Sequence, residues 1–401
     1  MNFYTNVLQY GNFLLVREVK NGERNLNKRV KYSPTLFAPV RKETPYKTLD
    51  GKYVTDIKFD TIKEAKEHVE AYKSQPELIY GNTQHTYNYI ADQYKGRVEF
   101  DIDQLMMATI DIEVKSENGF PSPTEAKEEL LSITIKNHQS KKIVVWGIGD
   151  FTTERKDVTY IKCETEVHLL KEFIVFWERH YPDIITGWNT EFFDIPYICN
   201  RIVSLFGEDE LKRLSPWGSV REREVYQLGR RQQAYDIAGI ASLDFMALYR
   251  KFTYTAQESY ALNHIATVEL GEQKDGNPYE TFSEWYQKDW QSFIEYNIQD
   301  VEIVDKLEDK MRLVELCLTM AYDAKVNYTD VLGSVKYWDI LIYNYLRERN
   351  IVIPQKVVHE KSEKFEGAYV KEPQVGMHKW VMSFDLNSLY PHLIMQYNIS
   401  P

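Results

Sequence analysis

Five acidic side chains stand where chemistry could be done. Asp111 and Glu113 lie two apart in "ATIDIEV", Asp194 closes "ITGWNTEFFD", Asp300 follows Tyr296 by four in "YNIQDVEIVDKLE", and Asp385 stands in "VMSFDLNSLYP". On a strand, a spacing of two puts Asp111 and Glu113 on one face. Two carboxylates on one face repel unless a cation lies between them. On a helix, a spacing of four puts Tyr296 and Asp300 one turn apart on the same side. Each feature alone has a plainer reading: a solvated strand face for the pair, an N-cap for Asp194, an exposed acid beside a half-buried Tyr for the helix. Taken together, Asp111, Glu113, Asp194 and Asp300, with no His-rich cluster, suit Mg²⁺ or Mn²⁺ rather than Zn²⁺. Acidic sites of this kind do phosphoryl-transfer chemistry with two metals, one activating a water and one stabilising the leaving oxygen. A phenol at Tyr296 could orient that water. No P-loop, HExxH, CxxC pair or GxSxG is present in the sequence, so the main competing chemistries lack their motifs.

The elements that must carry these groups follow from pattern. "MMATIDIEV" reads as a buried strand. "ELLSITIKN" and "KKIVVWGIG" are two strands joined by "HQS" in a hairpin. "ETEVHLLKEFIVFWERHYPD" has helical apolar spacing at Val167, Leu170, Phe173, Ile174 and Trp177. "DIITGWN" is a short strand, and "FDIPYICNRIVSLFG" starts a helix with Pro196 near its first turn. "AYDIAGIASLD" is a strand region, followed by the helix "FMALYRKF" and one long helical stretch from "TFSEWYQKDW" to "LTMAYDA". Three early antiparallel strands followed by alternating helices and strands is an α/β plan. Before it, residues 1 to about 105 read as mixed α/β: "NFLLVREV" and "KRVKYSPTLFAPV" are strands, and "TIKEAKEHVEAYK" is a short helix capped by Thr. After it, residues from about 313 to 356 look helical. Short strands are then expected around Gly367 and Gly376, and a Leu-Tyr-Pro turn after Asp385.

A chain of 401 residues is long for one domain, and 43% hydrophobic content supports real cores. Cys163, Cys199 and Cys317 are too widely spaced for a disulfide framework or a zinc pattern, which fits a reducing compartment. No apolar run approaches the roughly 18 residues of a membrane span, and the N-terminus lacks the pattern of a signal peptide. The expectation is a soluble, cytoplasmic protein with no membrane partner. The net charge of −11 argues against nucleic acid, but an acidic metal site inflates that sum, so local charge must decide.

At these acids the sequence resembles the 3′–5′ exonuclease domain of family B DNA polymerases, of the T-even phage replicative type. "ATIDIEVKSENGFPSP" resembles the first exonuclease motif, "ITGWNTEFFDIPYICNR" the second and "YNIQDVEIVDKLE" the third. The resemblance runs through "YSPTLFAPV", "SLDFMALYRKFTYTAQESYALNHIA" and "GAYVKEPQVGMHKWVMSFDLNSLYP", so it covers essentially the whole chain. It implies a ribonuclease H-like exonuclease domain with a mixed sheet at 106–312. It also implies an N-terminal α+β domain in two segments, 1–105 and 313–356, and the start of a polymerase palm at 357–401. Asp111, Glu113 and Asp300 match metal ligands, Asp194 a fourth acid at the second metal, and Tyr296 the residue that positions the attacking water. Phe120 matches an aromatic near the terminal base of the primer; its plainer reading is a turn residue before Pro121. Asn189 and Phe193 are implied to help hold the strand.

"REREVYQLGRRQQAYDIAG" matches the place of a β-hairpin that helps move a primer end, with "LG" as its turn. Arg221, Arg223, Arg230 and Arg231 make it a dense basic patch, with Arg230 and Arg231 the expected phosphate contacts; an exposed basic loop is the plainer reading. Lys20, Arg24, Lys28, Arg29 and Lys31 read first as a solvated loop and second as an RNA contact, which the N-terminal domain makes in some relatives. At the end of the chain Asp385 matches a metal-binding carboxylate of the polymerase site and Tyr390 the aromatic that excludes a ribose 2′-hydroxyl. His392 departs from the usual Ser. Asp385 is expected to be half of a site here, so nucleotide addition is not expected of these residues alone. The implied partners are single-stranded and primer-template DNA, with a sliding clamp for the full-length relative. The implied setting is a phage-infected bacterial cell. A free-standing exonuclease and a non-catalytic nucleic-acid-binding module are the competing readings.

Overall fold

The structure is a computed structural model that describes residues 1–117, 119–227, 230–273, 276–356 and 367–399; the side chains of Gln227 and Arg230 lie outside the described set. The chain divides into two compact units, Met1–Lys356 and Val357–Pro401.

The first unit opens with an antiparallel sheet of β1 (Asn2–Tyr10), β2 (Phe13–Lys20) and β3 (Glu23–Lys31). The run expected as the single strand "KRVKYSPTLFAPV" is two strands. β3 stops at Lys31 and β4 (Thr35–Pro39) begins after Pro34, whose missing N–H cannot join a ladder. The basic residues expected in a loop lie largely on a strand: Arg24, Lys28, Arg29 and Lys31 all belong to β3. β4 pairs with β6 (Tyr53–Lys58), which also pairs with β5 (Tyr46–Thr48). Then come α1 (Ile62–Ala71) and α2 (His85–Gln93). As the sequence predicts, Thr61 caps α1, its hydroxyl oxygen accepting from Glu64 N at 3.2 Å.

Next come β7 (Met107–Val114), β8 (Leu130–Asn137), β9 (Ile143–Gly147), β10 (Val158–Lys162), α3 (Glu166–Arg179), β11 (Ile184–Thr186), α4 (Asp194–Phe206), α5 (Glu208–Lys212), the hairpin β12 (Val220–Gln227) and β13 (Arg230–Ile237), and β14 (Ala241–Ser242). Six of these strands form one mixed sheet in the order β10-β9-β8-β7-β11-β14. Its centre is antiparallel, β7 to β8 to β9, and its flanks are parallel. The rest of the unit is α6 (Phe245–Phe252), α7 (Leu262–Leu270), α8 (Phe282–Lys288), α9 (Trp290–Met311), α10 (Leu313–Ala324), α11 (Ser334–Arg347) and β15 (Ile351–Val352), which pairs with β5. The expected single long helical stretch is therefore three helices. It breaks at Asp289, which caps α9 by accepting from Ser292 N, and at Arg312, which adopts the left-handed conformation.

The two faces of the sheet differ. On one, Ala108, Ile110, Ile112 and Val114 of β7 join Ile133 and Ile135 of β8 in a core with Leu170, Phe173, Ile174 and Trp177 of α3 and Ile198 and Ile202 of α4. Val167, expected in that stripe, is exposed, and Leu169 is buried instead. On the other face, Thr109, Asp111 and Glu113 lie opposite Lys136, Thr134 and Ser132. Directly opposed residues share a face, so this face carries a polar strip at the middle of a sheet. Thr109, Glu113, Ser132, Thr134 and Lys136 are all buried, so the solvated-face reading of the strand does not hold. Buried polar groups require partners, and α9 supplies several of them.

In the second unit the described residues form one helix, α12 (Leu389–Tyr397). The strands expected around Gly367 and Gly376 are not found among the described residues. Leu389-Tyr390-Pro391, expected as a turn, begins α12; proline is tolerated in a first helical turn, where no intrahelical N–H bond is lost.

Candidate active site

The site forms where β7, α9 and the start of α4 open on one cleft. One carboxylate oxygen from each of Asp111, Glu113 and Asp300 lies within 4.8 Å of the others. These hard oxygen donors fit Mg²⁺ or Mn²⁺. Repulsion among three crowded carboxylates is the force a divalent cation relieves.

Asp194 arrives by a different route. β11 ends at Thr186, opposite Thr109. Gly187 follows, and a Cβ there would lie 2.5 Å from Ile110 O and 2.4 Å from Thr190 Cγ2. Only glycine lets the chain pass β7 so closely. Trp188 then donates from Nε1 to Tyr260 O at 2.9 Å, and Asn189 takes the left-handed conformation, φ 65°. Buried Asp244 accepts from Glu191 N and from Ala247 N, both at 3.0 Å, so one carboxylate holds this loop and caps α6. The loop delivers Asp194 as the first residue of α4, not as its N-cap. Its Oδ1 accepts from Ile112 N at 3.0 Å, on the flank of β7 that β11 no longer covers. Burial pushes the Asp194 carboxyl up to about 8; the Ile112 N–H opposes that, and the charges of Asp244 and Asp300 add to it. A nearby cation pulls the other way.

Tyr296, one turn before Asp300 on α9, packs edge-on against Trp285 with ring centroids 4.8 Å apart. Phe120 is 84% exposed, yet its ring centroid lies only 5.1 Å from that of Phe193. All these residues open on one cleft of about 480 Å³, lined by Asp111, Glu113, Phe120, Asn189, Phe193, Asp194, Tyr296 and Asp300, together with Trp188 and Phe282. Residues spread over 190 positions of sequence thus meet at one opening. Sequence reading missed Trp188, Phe282 and Asn297. Asn297 is fully buried and donates from Nδ2 to Asp111 Oδ2 at 2.5 Å. A polar residue between Tyr296 and Asp300, on a helix otherwise burying Ile294, Ile298 and Val301, was the signal available.

The hairpin forms as expected, β12 antiparallel to β13, but it is no bare basic patch. Arg223 pairs with Glu191 at 2.5 Å and Asp236 at 2.8 Å, and Arg231 pairs with Glu224. The turn at Leu228 and Gly229 and the Arg230 side chain lie outside the described residues. Three basic residues of β3 are also engaged: Arg24 with Asp183 at 2.8 Å, Lys28 with Glu18 at 2.8 Å, and Arg29 over the ring of Phe13. Asp385 lies in irregular backbone of the second unit, with Tyr390 in the first turn of α12.

A second group of metal-ligating side chains, His138, Asp305 and Asp309, lies further along α9. It is filled by protein cations. Lys136 reaches Asp305 at 3.1 Å, and Lys141 reaches Asp305 and Asp309, each at 2.9 Å. No helix among the described residues is long and apolar enough to cross a membrane.

Fold and site define a mixed α/β module with an acidic cleft. Residues 53–265 match the family model for the exonuclease domain of DNA polymerase family B, and residues 334–401 match the model for DNA polymerase family B. The chain belongs to DNA polymerase family B. It is 35% identical to the DNA-directed DNA polymerase of Escherichia phage RB69 and 32% identical to that of Enterobacteria phage T4, in each case over all of this chain and 47% of the relative. It is 24% identical to a DNA polymerase of Pyrococcus glycovorans over 78% of this chain and 39% of that protein. The chain spans about half the length of the curated relatives it matches.

Proposed function

We propose that this chain carries a metal-dependent 3′–5′ exonuclease that hydrolyses the 3′-terminal phosphodiester of DNA, in the proofreading role. The observation that carries the reading is the convergence of Asp111, Glu113 and Asp300 within 4.8 Å on a cleft shared with Asp194 and Tyr296. Asp111, Glu113 and Asp300 would hold Mg²⁺ or Mn²⁺, with Asp194 serving a second ion. When bound, two such ions supply an activated water and stabilise the leaving oxygen. The phenol of Tyr296 orients the attacking water. Asn189 and the aromatic pair Phe120 and Phe193 hold an unpaired terminus, because base stacking on aromatic rings is sequence-tolerant. Single-stranded and primer-template DNA are the substrates proposed. RNA through the N-terminal domain is the weaker proposal, since Arg24 and Lys28 of β3 are ion-paired.

Two organisational readings go with this. The order of the six-stranded sheet, with its antiparallel centre and parallel flanks, supports a ribonuclease H-like fold for 106–312. A core in which Phe3, Tyr4, Val16 and Tyr89 meet Leu318, Tyr322 and Val331 supports one discontinuous N-terminal domain made of 1–105 and 313–356. Residues 357–401, with Asp385 and Tyr390, are read as the start of the polymerase palm.

The test is incubation of the full chain with 5′-labelled single-stranded DNA and Mg²⁺. Stepwise shortening that vanishes with chelator and in Asp111→Ala is expected. Intact DNA with both Mg²⁺ and Mn²⁺ would overturn the reading in favour of a binding module.

A further inference from the structure

We infer that Asn297 is a positioning residue: it fixes the Asp111 carboxylate for the cation and ties the two halves of the site together. This rests on the metal-site reading above. Asn297 is 0% exposed, and a buried amide must place both of its ends. Its Nδ2 donates to Asp111 Oδ2 at 2.5 Å. Its Oδ1 accepts from Ser132 Oγ at 2.9 Å and also from Thr134 Oγ1.

This arrangement selects one orientation of the amide. Turned over, Asn297 would set its carbonyl oxygen against the Asp111 carboxylate, acceptor against acceptor. As it stands, the carboxylate takes the N–H and two hydroxyls donate to the carbonyl. One oxygen of Asp111 is thereby held by the protein, and the carboxylate can no longer turn to suit another partner.

The contact also spans the site. Ser132 and Thr134 lie opposite Glu113 and Asp111 on β8. Asn297 sits on α9 between Tyr296 and Asp300. One side chain therefore sets the spacing between the carboxylates of the sheet and those of the helix. Partners of this kind behind a metal ligand are typically worth about 10-fold to 100-fold in metal affinity.

The experiment measures Mn²⁺ binding to the full chain by calorimetry, alongside thermal melting and DNA hydrolysis. Asn297→Leu keeps the side-chain shape and removes the donor; Mn²⁺ binding is expected to weaken by about 10-fold to 100-fold, with hydrolysis partly recovered at high Mn²⁺. The double variant Ser132→Ala, Thr134→Val keeps Asn297 but releases its orientation, and is expected to shift Mn²⁺ binding in the same direction by less. It decides the matter should Asn297→Leu not fold. Lowered melting temperatures with Mn²⁺ affinity within about twofold of the parent would show a structural role only and overturn the inference. So would a parent chain with no Asp111-dependent Mn²⁺ binding. A parent that binds Mn²⁺ through Asp111, loses that affinity in both variants and yet leaves DNA intact would sink the exonuclease reading while supporting the positioning role.

Discussion

α9 lays two acidic clusters against the same strands, and they are built to opposite ends. At Asp305 the buried carboxylate meets Lys136, Lys141 and His138. Burial opposes its ionisation, but the hydrogen bonds from His138 and Lys141 and the charge of Lys136 hold its carboxyl below the usual range. At Asp300, five residues earlier, the neighbours in the cluster are two further carboxylates. The first arrangement spends its charge on holding helix to sheet. The second gathers hard oxygen donors of the kind a divalent cation takes. A cluster of acids alone does not announce a metal site: at Asp305 the fold itself supplies the cations.

The sharpest way to break this comparison is to neutralise each partner in turn. Asp300→Asn should lower DNA hydrolysis on the order of 10³-fold or more while leaving the urea midpoint unchanged or raised, because it relieves like-charge crowding. Asp305→Asn should do the reverse. With Lys136 left buried and unpaired, stability should fall by about 3–5 kcal/mol, and hydrolysis per folded molecule should persist. If Asp305→Asn also abolished hydrolysis in folded protein, the division of labour would be wrong.

A smaller effect sharpens the same point. Mn²⁺ at 100 times its dissociation constant should stabilise the parent by about 2.7 kcal/mol through linkage. That gain should be lost in Asp300→Asn and kept in a folded variant of the lysine cluster such as Asp309→Asn. Equal stabilisation in both would mean that the ion binds elsewhere.

A more gradual effect, spread over pH, lies at the end of α9. Burial pushes the Glu308 carboxyl up to about 7 from an ordinary 4.5, against bonds from Val314 N and Glu315 N. The folded protein therefore keeps a proton between those values that the unfolded chain gives up. The stability this contributes is complete below about 4.5 and is lost as pH rises through about 7, with a slope of up to ~1.4 kcal/mol per pH unit. Glu308→Gln should flatten that slope in melts across the window; an unchanged slope would assign the proton to another group.

Much of the site was legible before the fold was known. Asp111 and Glu113 are two apart on a strand, Tyr296 and Asp300 four apart on a helix, and local periodicity alone decides which side chains share a face. What periodicity cannot reach is the partner across space. Asp194 is grouped with the other acids from sequence, but its partner across space, Ile112 N at 3.0 Å from its Oδ1, is not legible there. Of the hairpin arginines, Arg223 and Arg231 meet Glu191, Asp236 and Glu224, partners the sequence does not name. Asn297 reads as a helix residue among others until Asp111, Ser132 and Thr134 close around it. By itself, the sequence determined the residue types, the strand and helix that carry them, and hence the class of chemistry. The tertiary structure decided which acids converge and that Asp305 meets lysines, because such encounters depend on distances set by packing between segments far apart in the chain.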